Sequence, residues 1–171
     1  MPFAMFQVIP PLFERLTEVT LDRDATLFSV TGLDLEADGC YLIFYQGVKT
    51  TGGDTNLWIF FNRDTTAANY ISCGLANQAG SFSARYFGCP VISGPISANK
   101  TVFALIALMR CADGYPRAVA MSSSSYSGGE AFMTTAVVTK YITNVKEIDF
   151  WHGIDYGVGA GSKMIIFRRR L

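Results

Sequence analysis

The chain contains one histidine, His152, set in Phe150-Trp151-His152-Gly153. Nucleophilic catalysis by serine or cysteine needs a base within hydrogen-bonding reach, usually a histidine oriented by a third group. No recognisable motif places a Ser or Asp beside His152, and the serine run Ser122 to Ser125 has no G-x-S-x-G elbow. His152 is therefore expected to be structural. The small, polar stretch Ser122 to Gly129 is expected to form a flexible loop or hairpin tip. No catalytic residue is assigned, and the chain is read as a non-enzyme.

Metal and phosphate chemistry find equally little. Cys40, Cys73, Cys89 and Cys111 include no C-x-x-C pair and have no histidine cluster, so they match no common zinc spacing. They are expected to be reduced thiols in a protein made in a cytosol, with Cys40 and Cys111, which adjoin apolar strands, acting as small buried hydrophobes. A cupin-like metal site needs two or three histidines, which this chain lacks. Asn62, Asp64 and Asn69 carry hard oxygens that suit calcium. The same residue types at a strand end bond their own backbone as Asx turns, which is the preferred reading. Gly157-Val158-Gly159-Ala160-Gly161-Ser162-Lys163 misses the phosphate-loop spacing by one residue and runs into the β-like Met164-Ile165-Ile166-Phe167. Its glycines are expected to give the backbone freedom at a tight turn. No cofactor is assigned. Trp151, Tyr126 and Tyr156 neighbour glycine-rich turns and are the candidates for stacking on a sugar ring, although aromatics at loop edges more often pack than bind.

The elements that would position these residues are strands. With 171 residues the chain suits one domain, assigned to residues 12–171. Half its residues are hydrophobic, 16% are charged and its mean hydropathy is positive, a balance that implies much buried surface. Fourteen basic and fourteen acidic side chains cancel, so no global field draws the chain to nucleic acid. The longest apolar run, Val102 to Met109, is far shorter than the ~20 residues of a membrane-spanning helix. The N-terminus lacks the basic region of a signal peptide. Arg168-Arg169-Arg170-Leu171 is a basic tail that either touches a phosphate or carboxylate-rich partner or, by preference, is a solvated strand end.

Residues 1–11 are apolar and end in Pro10-Pro11, a pair that cannot continue a ladder, so an extended arm is expected. Its Phe3, Met5 and Phe6 either fold back over the chain's own core or dock on a neighbour. Strands are expected at 12–21, 25–31, 40–48, 56–62, 69–75, 81–87, 101–111, 117–122, 131–141, 145–150 and 163–169, with a turn at 33–39. Segments 40–48 and 56–62 are expected to pair as a long hairpin across Lys49-Thr50-Thr51-Gly52-Gly53-Asp54. About ten short strands with turn signals every ~8–12 residues predict an all-β antiparallel sandwich, of jelly-roll type.

Three of these segments are apolar on every residue: Tyr41 to Tyr45, Leu57 to Phe61 and Val102 to Met109. Antiparallel strands with one wet face alternate apolar and polar residues. Losing that alternation implies that the outer face is covered too, and another copy of the chain is the expected cover.

Three segments also carry a resemblance. Phe61-Asn62-Arg63-Asp64-Thr65 with Asn69-Tyr70, Asp113-Gly114-Tyr115-Pro116-Arg117, and Gly157 through Arg168 with its closing Met164-Ile165-Ile166-Phe167-Arg168 strand together resemble small jelly-roll virion proteins of tailed bacteriophages, over about residues 12–170. Those proteins are found as capsid decoration (cement) or tail-associated proteins. The resemblance implies no enzyme activity and no cofactor. It implies homotrimers or similar rings seated on the major capsid protein or another virion protein, in a virion assembled in the host cytoplasm. Asn62, Asp64, Asn69 and Tyr70 are then a structural turn, and Arg63 stands where the family carries glycine, so the turn must avoid a positive φ or tolerate strain there. Phe3, Met5, Phe6, Arg168, Arg169 and Arg170 are the expected partner-binding residues. Alternatives are a tail or fibre location and a carbohydrate-binding module built on Trp151 and Tyr156.

Overall fold

A computed structural model describes residues 12–78 and 81–169. Arm residues Phe3, Met5 and Phe6, and Arg170 of the tail, lie outside the described residues.

The chain is an all-β sandwich of antiparallel strands. Twelve strands are described: β1 (Phe13–Thr20), β2 (Phe28–Thr31), β3 (Cys40–Val48), β4 (Thr55–Phe61), β5 (Tyr70–Gln78), β6 (Ser81–Phe87), β7 (Val91–Ile96), β8 (Thr101–Arg110), β9 (Pro116–Tyr126), β10 (Gly129–Thr139), β11 (Glu147–Trp151) and β12 (Lys163–Arg169). They form an eight-stranded sheet in the order β1-β12-β3-β8-β9-β10-β5-β6 and a four-stranded sheet in the order β2-β11-β4-β7. The core between the sheets takes Tyr41, Ile43, Tyr45, Ile106, Leu108 and Ile166 from one and Phe28, Leu57, Ile59, Phe61, Ile148 and Phe150 from the other. Among the described residues no helix is long and apolar enough to cross a membrane.

The expected turn at 33–39 holds one short helix, α1 (Leu35–Asp38). The Asp34 carboxylate accepts from the Ala37 amide at its start, and Gly39 ends it at φ 71, as the side-chain cap and left-handed C-terminal residue of a short helix require. Leu35 plugs the end of the core, fully buried.

Three sequence expectations are corrected. Segments 40–48 and 56–62 are not a hairpin: β3 pairs with β12 and β8, while β4 pairs with β11 and β7 in the opposite sheet. The connection is an arch held by a side chain that looks like loop in the sequence. Lys49 is fully buried, and its ammonium donates to the carbonyls of Ile96 (3.0 Å) and Gly53. Burial lowers its pKa, an effect offset in part by Asp54. Next, Ser122 to Tyr126 are strand, and only Ser127-Gly128 turn the β9–β10 hairpin. Ser122 and Ser124 point into the sandwich because β7 lies close below, where a Cβ on Gly94 would meet the Ala131 methyl at 2.8 Å and Ser124 Oγ at 3.5 Å. Small side chains on β9 and β10 make that approach possible. Finally, Val91–Ile96 is a strand that the sequence hides behind Gly94 and Pro95, and it joins the eleven expected segments to make the twelve described strands.

Candidate functional site

The two sheets treat their outward surfaces differently. On the four-stranded sheet, Trp58 and Phe60 alternate along β4 with the inward Leu57, Ile59 and Phe61 and are covered by the chain itself, Phe60 as part of the buried core. Trp58 lies opposite Trp151 in the ladder, with ring centroids 5.2 Å apart in an edge-to-face arrangement. Phe60 packs edge-on to Tyr70 at 5.8 Å and is almost fully buried. The Tyr70 hydroxyl accepts from the Phe61 amide at 3.0 Å. The apolar run Leu57 to Phe61 is thus roofed by its own aromatic neighbours, and no second copy is needed there.

The eight-stranded sheet has no such roof among the described residues. The ladder aligns its outward side chains in rows. One row runs Ile165, Phe44, Leu105, Met121, Thr134, Leu75. On one side of it lie Leu42, Ala107, Val119, Ala136 and Cys73, and on the other Lys163, Gln46, Phe103, Ser123 and Phe132. Met121, Phe132 and Phe103 are 62%, 58% and 50% exposed. At ~4.8 Å between strands and ~6.6 Å between alternate residues, the apolar area spans roughly 24 Å across six strands and roughly 13 Å along them. Its centre is a groove of about 490 Å³ whose apolar lining comes from Phe44, Phe103, Leu105, Met121, Phe132 and Ile165, with Gln46, Ser122, Ser123 and Lys163 also on its walls. Charge is confined to the border. Glu18 pairs with Arg15 and Lys163 on the β1 side, and Arg117 pairs with Asp113 at the end of β9. An apolar centre with a polar rim is the anatomy of a protein-binding surface.

The other predicted residues fall as follows. Arg168 is tied down, its Nε 2.6 Å from Glu14 with Asp38 at 3.8 Å, while Arg169 is exposed at the sheet's end. Asn62, Asp64 and Asn69 have their oxygens and amides engaged within the turn: Asn62 Oδ1 accepts from the amides of Lys146 (2.8 Å) and Glu147 (3.1 Å), and Asp64 accepts from the Thr66 amide and from Asn69 Nδ2. Asn62 and Arg63 both take left-handed backbone, at φ 54 and 59. Arg63 is held there by its amide donating to Asp149 (3.1 Å) and its Nε to Glu147 (2.9 Å). Asp149 is buried, which raises its pKa. Among the described residues no group of three or more His, Cys, Asp or Glu could hold a metal ion.

The amides of the glycine segment are occupied: those of Gly157, Gly159 and Gly161 donate to the carbonyls of Ile154, Val48 and Leu21, and that of Ala160 donates to Asp24. No cradle is left for a phosphate at these positions. Gly159 is glycine for space, since a Cβ would stand 3.1 Å from the Val48 carbonyl. His152 is buried, with Nε2 2.8 Å from the Tyr45 hydroxyl. Burial, reinforced by the charge of Lys49, lowers its pKa to about 4. Trp151 spends its N–H on the Ile154 carbonyl at 3.1 Å and its ring on Trp58 and Phe60, while Tyr126 is half-buried and Tyr156 stands exposed at φ 53.

The sequence missed the contribution of β9 and β10 to the apolar face. Val119, Met121 and Phe132 alternate with small residues, a pattern that gives no sign of which face is buried. No protein-family model matches the chain, and no curated protein sequence matches it.

Proposed function

We propose that this chain is a non-enzymatic virion structural protein, a jelly-roll homotrimer that binds the exterior of an assembled phage capsid and reinforces it. The observation that carries the reading is the outward face of the eight-stranded sheet, apolar at its centre, charged at its rim and left uncovered by the described residues. Such a face suits a protein that works by contact with other proteins. A decoration protein binds the assembled shell and not its dispersed subunits, so it stabilises the shell by mass action alone and needs no catalytic centre.

The jelly-roll assignment draws support from strand order. Strands β1-β12-β3-β8 facing β2-β11-β4-β7 form two four-stranded sheets that alternate along the chain in the manner of two nested Greek keys. The β5–β6 and β9–β10 hairpins then extend one sheet on one side. The resemblance to phage virion proteins gains weight at Arg63, where those proteins carry glycine and this chain adopts the left-handed backbone that glycine favours.

The test is to purify phage particles bearing this chain, count its copies against the major capsid protein, and locate it by antibody labelling in electron micrographs. Labelled heads, with heads lacking the chain bursting at lower temperature, are the expected result. Label confined to tails would move the protein to the tail, and its absence from purified particles would reject the reading.

A further inference from the structure

From the open outer edge of strand β6, we infer that two copies of this chain pair β6 with β6 about a two-fold axis at Ala84, joining their eight-stranded sheets into one. The inference is independent of the capsid reading and of the apolar face. It concerns the edge of the sheet, and a two-fold contact of this kind joins two copies whatever else they bind.

An edge strand is a template for another strand unless something blunts it. Among the described strands, β1 holds Glu14, Arg15 and Glu18, and its ladder shifts register between Arg15 and Thr17. Strand β2 has four residues. Strand β7 contains Gly94 and Pro95, and its ladder to β4 is broken between Asn56 and Trp58. The edge at β6 has none of these features. Its seven residues pair with β5 in unbroken register, with Arg85 as the one charged residue and no proline.

The register also says which backbone groups face outwards. Antiparallel ladders alternate hydrogen-bonded pairs with pairs whose N–H and C=O point away from each other. Two residues separate Gln78 from its partner Ser81, so that pair is hydrogen-bonded, and Ala76–Ser83, Gly74–Arg85 and Ser72–Phe87 follow it. Phe82, Ala84 and Tyr86 therefore turn their N–H and C=O to the open side, where no described strand takes them. The rest of this chain does not reach them. Residues 1–11 enter at β1 on the opposite edge, roughly 34 Å away at ~4.8 Å per strand. Eleven residues span at most roughly 40 Å when fully extended, so after crossing the whole face almost nothing would be left to run beside β6. Residues 170 and 171 follow β12, which is also at the far side of the sheet.

The sequence of β6 suits a second copy of itself. Centred on Ala84, antiparallel pairing sets Ala84 opposite Ala84, Phe82 opposite Tyr86 and Ser83 opposite Arg85. Aromatic residues meet aromatic residues, and the two arginines are not opposed. The outward groups of Phe82, Ala84 and Tyr86 then fall in hydrogen-bonded pairs, about six bonds in all. Residues opposite each other in a ladder share a face, so the exposed Leu75 and Tyr86 of both copies lie on one continuous surface.

The test uses the full chain in sedimentation velocity at concentrations up to millimolar, where association should be seen. Ala84→Pro deletes the outward N–H at the axis and leaves the ladder to β5 intact, because that N–H is not used there. It should weaken association about tenfold or more while circular dichroism stays that of the parent. Ala84→Lys and Ala84→Glu each place like charges opposite one another and should weaken association similarly. Mixing the Lys and Glu chains should restore it, a rescue that misfolding cannot produce. The factor lost to Ala84→Pro should be the same in a Met121→Ser background, since the apolar face is a separate contact. The amides of Phe82, Ala84 and Tyr86 should exchange with solvent more slowly in concentrated than in dilute solution. A wild-type chain that stays monomeric, association indifferent to the Ala84 changes, Lys and Glu chains that do not associate when mixed, or edge amides that exchange equally fast at all concentrations would each overturn the inference.

Discussion

The hydroxyl of Tyr45 lies 2.8 Å from Nε2 of His152, joining strand β3 of the eight-stranded sheet to the residue that follows β11 of the four-stranded one. The same tyrosine stacks on Phe150 with ring centroids 4.3 Å apart. Gly47 makes the pair possible, because a Cβ there would stand 2.6 Å from the Tyr45 ring and 2.7 Å from Nε2. Chemical denaturation of Gly47→Ala should show a loss of about 2–3 kcal/mol, the cost of overfilling a packed core. Tyr45→Phe should lose about 1–2 kcal/mol by leaving a buried nitrogen unpaired. A Gly47→Ala variant as stable as the parent would show that the pair does not join the sheets as described.

His152 also sets an acid limit. Its folded pKa of about 4 lies below the ordinary 6.5, so the unfolded chain binds more protons between those values. This contribution to stability is complete above about pH 6.5 and is lost as pH falls towards 4. The separation corresponds to about 3 kcal/mol. Asp149, whose pKa is raised by burial, acts in the opposite sense, so the measurement to make is a difference. Stability titrations of the parent and of His152→Gln between pH 7 and 4 should diverge, with the variant losing less. Parallel curves would contradict the assignment.

Arg63 stores strain that glycine would relieve. A left-handed non-glycine residue costs roughly 1 kcal/mol, and the Arg63–Glu147 ion pair, its guanidinium exposed and screened by water, offsets little of that. Arg63→Gly should therefore leave stability unchanged or raise it by about 0.5 kcal/mol. Arg63→Val should lower it by about 1–2 kcal/mol, since a β-branched residue tolerates positive φ poorly. Thermal melts of the two variants reveal the sign, and a destabilised glycine variant would refute the account.

Two outward apolar positions should respond in opposite ways. Phe60→Ser, on the face roofed by Tyr70 and Trp151, should cost about 3–4 kcal/mol. Met121→Ser, on the face that no described residue covers, should change the stability of the isolated chain by less than about 0.5 kcal/mol while reducing self-association. Equal costs at both sites would mean that the eight-stranded sheet is covered as fully as the other.

Local pattern determined much of this chain. The apolar runs at Tyr41 to Tyr45 and Val102 to Met109 announced strands, and the Lys163–Arg169 strand was legible to the residue, because β-branched and aromatic runs bounded by turn formers have few alternatives. The scarcity of charge and the missing alternation also pointed to a sheet with an apolar outer face. Tertiary structure alone decided which face that was. Identical greasiness in Leu57 to Phe61 is hidden by Tyr70 and Trp151, residues distant in sequence, whereas no described residue hides that of Phe103 and Leu105. The Lys49 arch was illegible for a related reason. A lysine in a turn-rich segment looks solvated until the carbonyls of Gly53 and Ile96 close around its ammonium, and with that contact the chain passes from one sheet to the other. Ser122 to Ser125 look like loop because small polar residues seldom fill strands, yet they are needed where β7 crosses beneath them. Short-range pattern tells what a segment becomes, while its partners, and so its buried face, depend on contacts between residues far apart along the chain.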